Sequence, residues 1–215
     1  MSKIKYALFD FDGTVVDSQW FWNTIILHML RDKGHPVGDA DVEFSMKTPF
    51  PLRLKTLFEK YGEDPSTYTT EDALVYVTRF YDTALFWKPG ALEFLTELKR
   101  RGIQLVLCSA TRKEMLDVAL KHLGAEDLFD HYFSVPTVGV GKDNPDYFAH
   151  CLNALGATKE DAVFFEDALY SIRTAKEFGM TVYAVHEICS IADKDAICAI
   201  ADGYEMLLTD YLDRI

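Results

Sequence analysis

The feature that most constrains the fold is an alternation of short apolar runs and helical patterns in the second half of the chain. The runs are rich in β-branched and aromatic residues and have strand length, at residues 103–110, 131–135, 162–165 and 181–185. Helical patterns separate them, at residues 113–123, 145–155 and 169–178. Continuous apolar strands joined by helices are typical of a parallel sheet covered on both faces. We therefore predict an α/β fold.

A block with only helical patterns interrupts this arrangement between about residues 19 and 86. It follows a first apolar strand at residues 6–9, and its helical patterns cover residues 20–31, 39–47, 51–61 and 70–85. After it, the segment Lys88-Pro89-Gly90 leads into a helix over residues 91–101. We predict two domains, an α/β core of residues 1–18 and 87–215 and an inserted all-helical domain of residues 19–86.

The C-terminal segment gives weaker patterns. We predict a helix over residues 191–201, a short edge strand in "DGYEM" and a final helix over residues 207–212.

The charge balance limits the partners of the chain. The net charge is −12 and no dense Lys/Arg cluster is present, so we expect no nucleic-acid partner. An anionic substrate must then be bound by local features, because the overall field repels it. This makes a bound cation more plausible.

The cysteines and the apolar runs bear on location. Four cysteines are widely spread without a CxxC pair, which favours a reduced protein. No signal peptide is recognisable at the N-terminus, and no apolar run has the length of a membrane span. We expect a soluble, cytoplasmic protein without a membrane partner.

Two acids follow the first strand in the segment Asp10-Phe11-Asp12-Gly13-Thr14. At positions i and i+2 of an extended chain, the carboxylates of Asp10 and Asp12 point the same way and repel unless a cation lies between them. Gly13 allows a sharp turn. A solvated Asp-Gly turn is the alternative explanation for this segment.

Other strands of the predicted sheet also end in polar residues. Ser109 and Thr111 lie at the carboxyl end of the second strand, Lys142 lies in a Gly-containing loop after the third, and Glu166-Asp167 follows the fourth. Singly, each has a structural explanation: a helix cap, a solvated charge, or acids before a helix N-terminus. Together at the carboxyl edge of one sheet, they predict a functional site.

In these motifs the sequence resembles the haloacid dehalogenase superfamily, specifically its Mg²⁺-dependent phosphatase and phosphomutase branch with a helical cap, which includes phosphoglycolate phosphatase-like proteins. The segment from Asp10 to Thr14 looks like the first motif of that family, Ser109 the second, Lys142 the third and Glu166-Asp167 the fourth. The resemblance implies a Rossmann-like core with residues 19–86 as the cap.

The resemblance also implies a metal site and a nucleophile. Asp10 would attack the phosphate and form an aspartyl phosphate. Mg²⁺ would be held by Asp10, Asp167 and the backbone carbonyl of Asp12, while Glu166 would order a water on the metal.

The remaining motif residues would serve the phosphoryl group. Lys142 would neutralise phosphate charge and hold Asp10 ionised, and Ser109 and Ala110 would bind the transferring oxygens. Asp12 would be the general acid that protonates the leaving oxygen and later activates water.

The resemblance implies that the helical block would select the substrate. Lys47, Arg53 and Lys55 could bind a second anionic group, or they are solvated surface charges. The β-phosphoglucomutases of this branch usually carry a His ten residues after the general acid, where this chain has Trp22, which weakens the mutase interpretation. Asp143 after Lys142 is a further departure from the usual third motif.

We therefore predict an enzyme, a Mg²⁺-dependent hydrolase of a small phosphomonoester such as phosphoglycolate or a sugar phosphate, acting through an aspartyl phosphate. The alternatives are a β-phosphoglucomutase-like phosphomutase and a non-catalytic ligand-sensing or interaction protein. Dehalogenation is disfavoured, because that reaction needs neither a metal nor a second Asp. The expected partner is a small phosphorylated metabolite, and the expected state is a monomer or homodimer.

Overall fold

Six parallel strands form one sheet in a computed structural model that describes residues 4–215. Residues 1–3 are outside the described residues. The start of the predicted core and part of the N-terminal segment, in which no signal peptide is recognisable, therefore lie outside them as well. The spatial order is β3-β2-β1-β4-β5-β6. The strands are β1 (Tyr6–Phe9), β2 (Gln104–Ser109), β3 (His131–Ser134), β4 (Ala162–Glu166), β5 (Thr181–Val185) and β6 (Gly203–Glu205). The predicted α/β fold with a parallel sheet is confirmed.

The central position of β1 determines which strand ends are neighbours. Phe9 at the end of β1 is in register with Leu107 of β2 on one side and Phe165 of β4 on the other. The backbone N–H of Asp10 continues this ladder by donating to the carbonyl of Phe165 at 3.0 Å. The residues that follow β1, β2 and β4 are therefore adjacent at the carboxyl edge of the sheet.

Two compact units divide the chain, one of which is the segment Ser18–Leu85. Its helices are α1 (Gln19–Asp32), α2 (Asp39–Lys47), α3 (Phe50–Lys60) and α4 (Thr70–Thr83), with a 3₁₀ turn at Pro65–Thr67. The other unit holds the rest of the described chain, including the whole sheet.

The helices of the sheet unit are α5 (Ala91–Arg100), α6 (Lys113–His122), α7 (Val135–Val138), α8 (Pro145–Leu155), α9 (Leu169–Phe178) and α10 (Lys194–Ile200). Further 3₁₀ helices lie at Lys159–Asp161, Ile188–Asp193 and Leu208–Arg214. Within residues 4–215, no helix is both long and apolar enough to cross a membrane.

Two C-terminal predictions need correction. The predicted helix at residues 191–201 is a 3₁₀ helix, Ile188–Asp193, followed by α10, and the predicted final helix is 3₁₀ rather than α. The first element begins earlier than predicted because the Glu187 side chain accepts a hydrogen bond from the backbone N–H of Cys189 and caps it. The predicted short edge strand is present as β6.

Aromatic side chains pack on both faces of the sheet. On one face, the Phe148 ring of α8 meets the Phe164 ring edge-on, with centroids 5.2 Å apart. On the other face, Phe9 stacks on Phe165 at 4.7 Å, and Phe94 of α5 meets both rings edge-on. Phe164 and Phe165 are neighbours in β4 and are both buried, as a sheet covered on both faces requires.

A tight turn follows β1. Gly13 has φ +91°, in the left-handed region that favours glycine. Beyond the turn, Val16 forms an antiparallel bridge with Trp87, and the Lys88 N–H donates to the carbonyl of Val15 at 2.9 Å. The two segments that flank the helical unit in sequence are thus paired with each other, and this pairing anchors the turn beside Asp10 and Asp12.

Candidate active site

Three acids meet at the carboxyl edge of the sheet. Asp10 follows β1, Glu166 ends β4, and Asp167 comes directly after it. Each offers a carboxylate oxygen, and these oxygens lie within 4.8 Å of one another. The three residues are 5%, 1% and 1% exposed, respectively, so the cluster is shielded from bulk water.

Lys142 enters this cluster from the loop after α7. A turn closed by the Asn144 N–H and the Gly141 carbonyl, at 3.0 Å, presents the Lys142 side chain. Its Nζ donates to Asp10 Oδ1 and, at 2.7 Å, to Glu166 Oε2. Burial alone favours the neutral amine, but the charges of Asp10 and Glu166 hold the pKa of Lys142 well above its ordinary value.

The charge of the cluster is not balanced by Lys142. Burial raises the pKa of Asp10 to about 8, the Glu166 carboxylate adds to the rise, and Lys142 opposes it. Burial, together with Glu166 and Asp10, also raises the pKa of Asp167 well above its ordinary value. Lys142 thus favours the ionised form of Asp10, while burial and the neighbouring acids favour the protonated form. The predicted role of Lys142 in holding Asp10 ionised stays a prediction.

The donor set fits a hard divalent cation. Three buried carboxylates offer oxygen ligands, which Mg²⁺ prefers, and a cation supplies the positive charge that the cluster lacks. Asp10, Glu166 and Asp167 are the residues that could hold it.

Two hydroxyls orient Asp167 within the cluster. Thr14 Oγ1 donates to Asp167 Oδ1 and Ser190 Oγ donates to Asp167 Oδ2, both at 3.1 Å. Sequence reasoning assigned no role to either. Thr14 lies inside a motif already singled out, but Ser190 lies beyond β5 with no pattern around it, so no sequence signal indicates its contact with Asp167.

The Asp12 carboxylate lies outside the three-acid cluster and has a different neighbour. Thr111 Oγ1 donates to Asp12 Oδ2 at 2.6 Å. Thr111 itself is held through its carbonyl, which accepts from Ser134 Oγ at 2.8 Å. The two acids predicted from one motif therefore have separate surroundings. The predicted role of the Asp12 carbonyl as a metal ligand stays a prediction.

Ser109 lies at the end of β2, next to β1. Its side chain is buried, and Oγ accepts from the Thr111 N–H at 3.0 Å. Since the cap position of α6 is Arg112, Ser109 orders the turn after the strand and does not cap the helix. Ala110 follows and is exposed. The phosphate-binding roles of Ser109 and Ala110 stay predictions.

Arg53 and Lys47 of the helical unit differ in their surroundings. Arg53 is buried, and its NH1 group donates to Asn23 Oδ1 at 3.0 Å and to the Ser45 carbonyl at 2.8 Å. Lys47 is exposed and pairs with Glu43 one turn earlier at 2.6 Å. Their predicted contact with a second anionic group of the substrate stays a prediction.

Trp22 also lies in the helical unit. Its indole Nε1 donates to the hydroxyl of Tyr81 at 3.3 Å.

The chain is similar to known proteins over most of its length. A model of the family described as "Hydrolase: haloacid dehalogenase-like hydrolase" matches residues 4–179. The chain is 24% identical over 196 residues to validoxylamine A 7'-phosphate phosphatase from Streptomyces hygroscopicus subsp. limoneus, covering 90% of this chain and 92% of that protein. It is 25% identical over 186 residues to pyrophosphatase PpaX from Halalkalibacterium halodurans, covering 85% and 84%.

The fold is also similar to solved structures. The structure of CbbY from Rhodobacter sphaeroides in complex with phosphate superposes with a TM-score of 0.75 over 97% of this chain and 96% of that one. Sequence identity is 21%, so this likeness shows the fold alone.

Proposed function

This chain belongs to the haloacid dehalogenase-like hydrolase family, and from that premise we propose that it is a Mg²⁺-dependent hydrolase of a small phosphomonoester. The observation that carries the proposal is the arrangement around Asp10, a buried carboxylate held by Lys142 beside two further acids, with Asp12 two residues away. A nucleophile, a cation site and a separate proton donor are the groups that phosphoryl transfer requires.

Asp10 is the nucleophile in this proposal. One of its carboxylate oxygens attacks the phosphorus of the substrate, and the bond from phosphorus to the ester oxygen breaks as the aspartyl phosphate forms. Lys142 orients the carboxylate through Oδ1 and places positive charge beside the phosphoryl oxygens. Ser109 and the backbone after Asp10 and at Ala110 supply hydrogen bonds to the same oxygens.

Asp12 moves the protons. As a carboxylic acid it protonates the departing ester oxygen, and as a carboxylate it then takes a proton from the water that attacks the aspartyl phosphate. That second attack breaks the bond between phosphorus and Asp10 and releases inorganic phosphate. The hydrogen bond from Thr111 holds the Asp12 carboxylate in one position. Asp12 can therefore serve both proton transfers, to the ester oxygen and from the attacking water, from that position.

Mg²⁺, when bound by Asp10, Glu166 and Asp167, would supply the positive charge that lets a carboxylate approach a phosphate dianion. Glu166 is held for this role by Lys142 and by the backbone N–H groups of Asp167 and Ala168, at 3.0 and 3.1 Å.

We assign Ser18–Leu85 as the cap that selects the substrate. The curated relatives include a phosphatase of validoxylamine A 7'-phosphate and a pyrophosphatase, which supports a small phosphorylated substrate. Within that class, the proposed substrate is a phosphoglycolate-type or sugar phosphate ester. Lys47 and Arg53 are the cap residues proposed to meet a second anionic group. A cytoplasmic location belongs to the same proposal.

The test is turnover of a panel of metabolite phosphates with Mg²⁺ by the purified protein and by Asp10→Asn. We expect at least one ester to be hydrolysed and Asp10→Asn to lose activity by about 10³-fold or more. Asp117→Asn is the matched control, because Asp117 is an exposed acid on α6 that pairs with Lys113. Full activity in Asp10→Asn would contradict the nucleophile assignment.

The product of the reaction distinguishes a phosphatase from the two alternatives, a phosphomutase and a non-catalytic protein. A phosphomutase would return an isomerised sugar phosphate instead of inorganic phosphate. A non-catalytic protein would turn over no ester, while Mg²⁺ would still raise its melting temperature.

A further inference from the structure

The Lys88 side chain joins two loops at the carboxyl edge of the sheet. Its Nζ donates to the carbonyl of Gly13 at 2.7 Å, to the carbonyl of His186 at 2.6 Å and to Glu187 Oε2 at 2.8 Å. The side chains of Lys88 and Glu187 are 13% and 4% exposed. An ammonium with three acceptors in a largely buried position has few other conformations available.

The two loops that Lys88 joins are the ones that supply hydroxyls to Asp167. Gly13 precedes Thr14, whose Oγ1 donates to Asp167 Oδ1. Glu187 caps the 3₁₀ helix that carries Ser190, whose Oγ donates to Asp167 Oδ2.

Glu187 fixes that 3₁₀ helix from its first turn. Its Oε1 accepts from the Cys189 N–H at 3.2 Å, and its carbonyl accepts from the Ser190 N–H at 3.1 Å. The contacts therefore close a ring that runs from Asp167 through Thr14, Gly13, Lys88, Glu187 and Ser190 back to Asp167.

We propose that Lys88 is a positioning residue that sets the Mg²⁺ affinity of the acid cluster by holding Thr14 and Ser190 against Asp167. The inference rests on the proposed function only in assigning Mg²⁺ to that cluster. Groups that orient metal ligands affect metal affinity by about 10–100-fold when they are removed. Lys88 acts on Asp167 through two successive contacts, from Lys88 to Gly13 and from Thr14 to Asp167, and has no proposed contact with the substrate.

The test compares Mg²⁺ dissociation constants, measured by titration calorimetry without substrate, with stability in urea. We expect Lys88→Met to raise the dissociation constant about tenfold or more. Since this variant leaves Glu187 buried without its cation, the double variant Lys88→Met/Glu187→Gln is also measured. The double variant should regain stability without regaining Mg²⁺ affinity, because the hydrogen bond from Lys88 to the Gly13 carbonyl is still absent.

A matched control is available at the opposite edge of the sheet. Lys99 also donates to two backbone carbonyls, of Asp127 and Leu128, and pairs with one carboxylate, Asp130. These residues precede β3 and therefore lie at its amino end. Lys99→Met should lose stability and keep the wild-type Mg²⁺ affinity.

Ser190→Ala tests the last link of the ring directly. Loss of this hydroxyl should weaken Mg²⁺ binding while Lys88 and Glu187 stay paired. Wild-type Mg²⁺ affinity in Lys88→Met, or affinity that returns in the double variant together with stability, would overturn the positioning role.

These outcomes are separate from failure of the proposed function. Weakened Mg²⁺ binding in Lys88→Met with no ester turned over by the wild type would contradict the phosphatase assignment and support the positioning role. Normal Mg²⁺ binding in Lys88→Met with an active wild type would contradict the positioning role and support the phosphatase assignment.

Discussion

Lys142 Nζ donates a hydrogen bond of 2.7 Å to Glu166 Oε2, and both side chains are almost completely buried. The same ammonium donates to Asp10 Oδ1. One side chain thus ties the loop after α7 to the ends of β1 and β4. The contact has a stability consequence, because a buried carboxylate without a cation is far more costly than a paired one.

Lys142→Met removes the buried cation and leaves Asp10 and Glu166 facing each other. We expect the free energy of unfolding of the metal-free protein to fall by about 3–5 kcal/mol. Urea denaturation measures the change, and Lys142→Met/Glu166→Gln is the control that removes one of the two acids and should recover part of the loss. A loss of less than about 1 kcal/mol, which is typical of exposed ion pairs, would contradict the expected cost of removing the buried cation.

The raised pKa of Asp10 predicts a pH-dependent Mg²⁺ affinity. Below pH of about 8 the Asp10 carboxyl holds its proton, which Mg²⁺ must displace. Affinity should therefore rise by up to about tenfold per pH unit toward pH 8. Titration calorimetry in buffers of different ionisation enthalpy measures the proton released, and Asp10→Asn should lose both the release and this part of the pH dependence. Affinity independent of pH below 8 would contradict the assignment.

The same pKa predicts how the stability of the metal-free protein changes with pH. Asp10 has an ordinary pKa of 3.8 and a folded-state pKa of about 8, so between these values the folded state binds more protons than the unfolded state. The contribution of Asp10 to stability is thus greatest below pH 3.8 and falls as pH rises toward 8. Urea denaturation over this range should show the fall in the wild type and a smaller one in Asp10→Asn. An equal pH dependence in both proteins would rule out Asp10 as its source.

Thr111→Val keeps the shape of the side chain and removes its hydrogen bond to Asp12. We expect turnover to fall by about tenfold or more, because Asp12 is no longer held for proton transfer. Stability should change by about 1 kcal/mol. Thr111→Ser retains the hydroxyl and is the matched control. Equal turnover in the Val and Ser variants would show that this hydrogen bond does not serve catalysis.

Arg53 and Lys47 should differ in their effect on stability. The NH1 group of Arg53 donates to both the Ser45 carbonyl and the Asn23 side-chain oxygen, and Arg53→Met removes this donor. The loss should lower the free energy of unfolding by about 1–3 kcal/mol. Lys47→Met breaks only an exposed pair within one helix and should cost less than about 0.5 kcal/mol. Thermal and urea unfolding of the two variants measure the change in stability. Equal losses of stability in the two variants would contradict the predicted difference between the buried and the exposed side chain.

The sheet was predictable because each strand is a short apolar run between turn or helix signals. In β4, four apolar residues precede Glu166, so both the strand and the polar residue at its end could be read from the sequence. The short helix α7 was not predicted. Its four residues, Val135–Val138, have a proline at the second position and are followed by Gly139, which has φ +78°. The helix therefore has boundary signals but is too short for its periodicity to be recognised.

The positions of the candidate site residues were predictable where these residues end a strand or directly follow one. Asp10, Ser109 and Glu166 are placed by β1, β2 and β4, and parallel strands bring their carboxyl ends together. The contacts that hold the acids were not predictable. Lys88 and Ser190 come from segments whose local sequence has ordinary explanations, a lysine before Pro-Gly and a serine in a 3₁₀ helix. Their contacts depend on the three-dimensional packing of loops that are distant in sequence.

The measurement that tests the central claim most directly is trapping of the aspartyl phosphate in Asp12→Asn. With p-nitrophenyl phosphate and Mg²⁺, the leaving group needs no general acid, so transfer to Asp10 should proceed while hydrolysis, which needs Asp12, is slow. We predict a burst of p-nitrophenolate stoichiometric with the enzyme, and a phosphoryl group on Asp10 after acid quench and peptide mass spectrometry. Release without a burst, or a phosphoryl group on any other residue, would contradict the account.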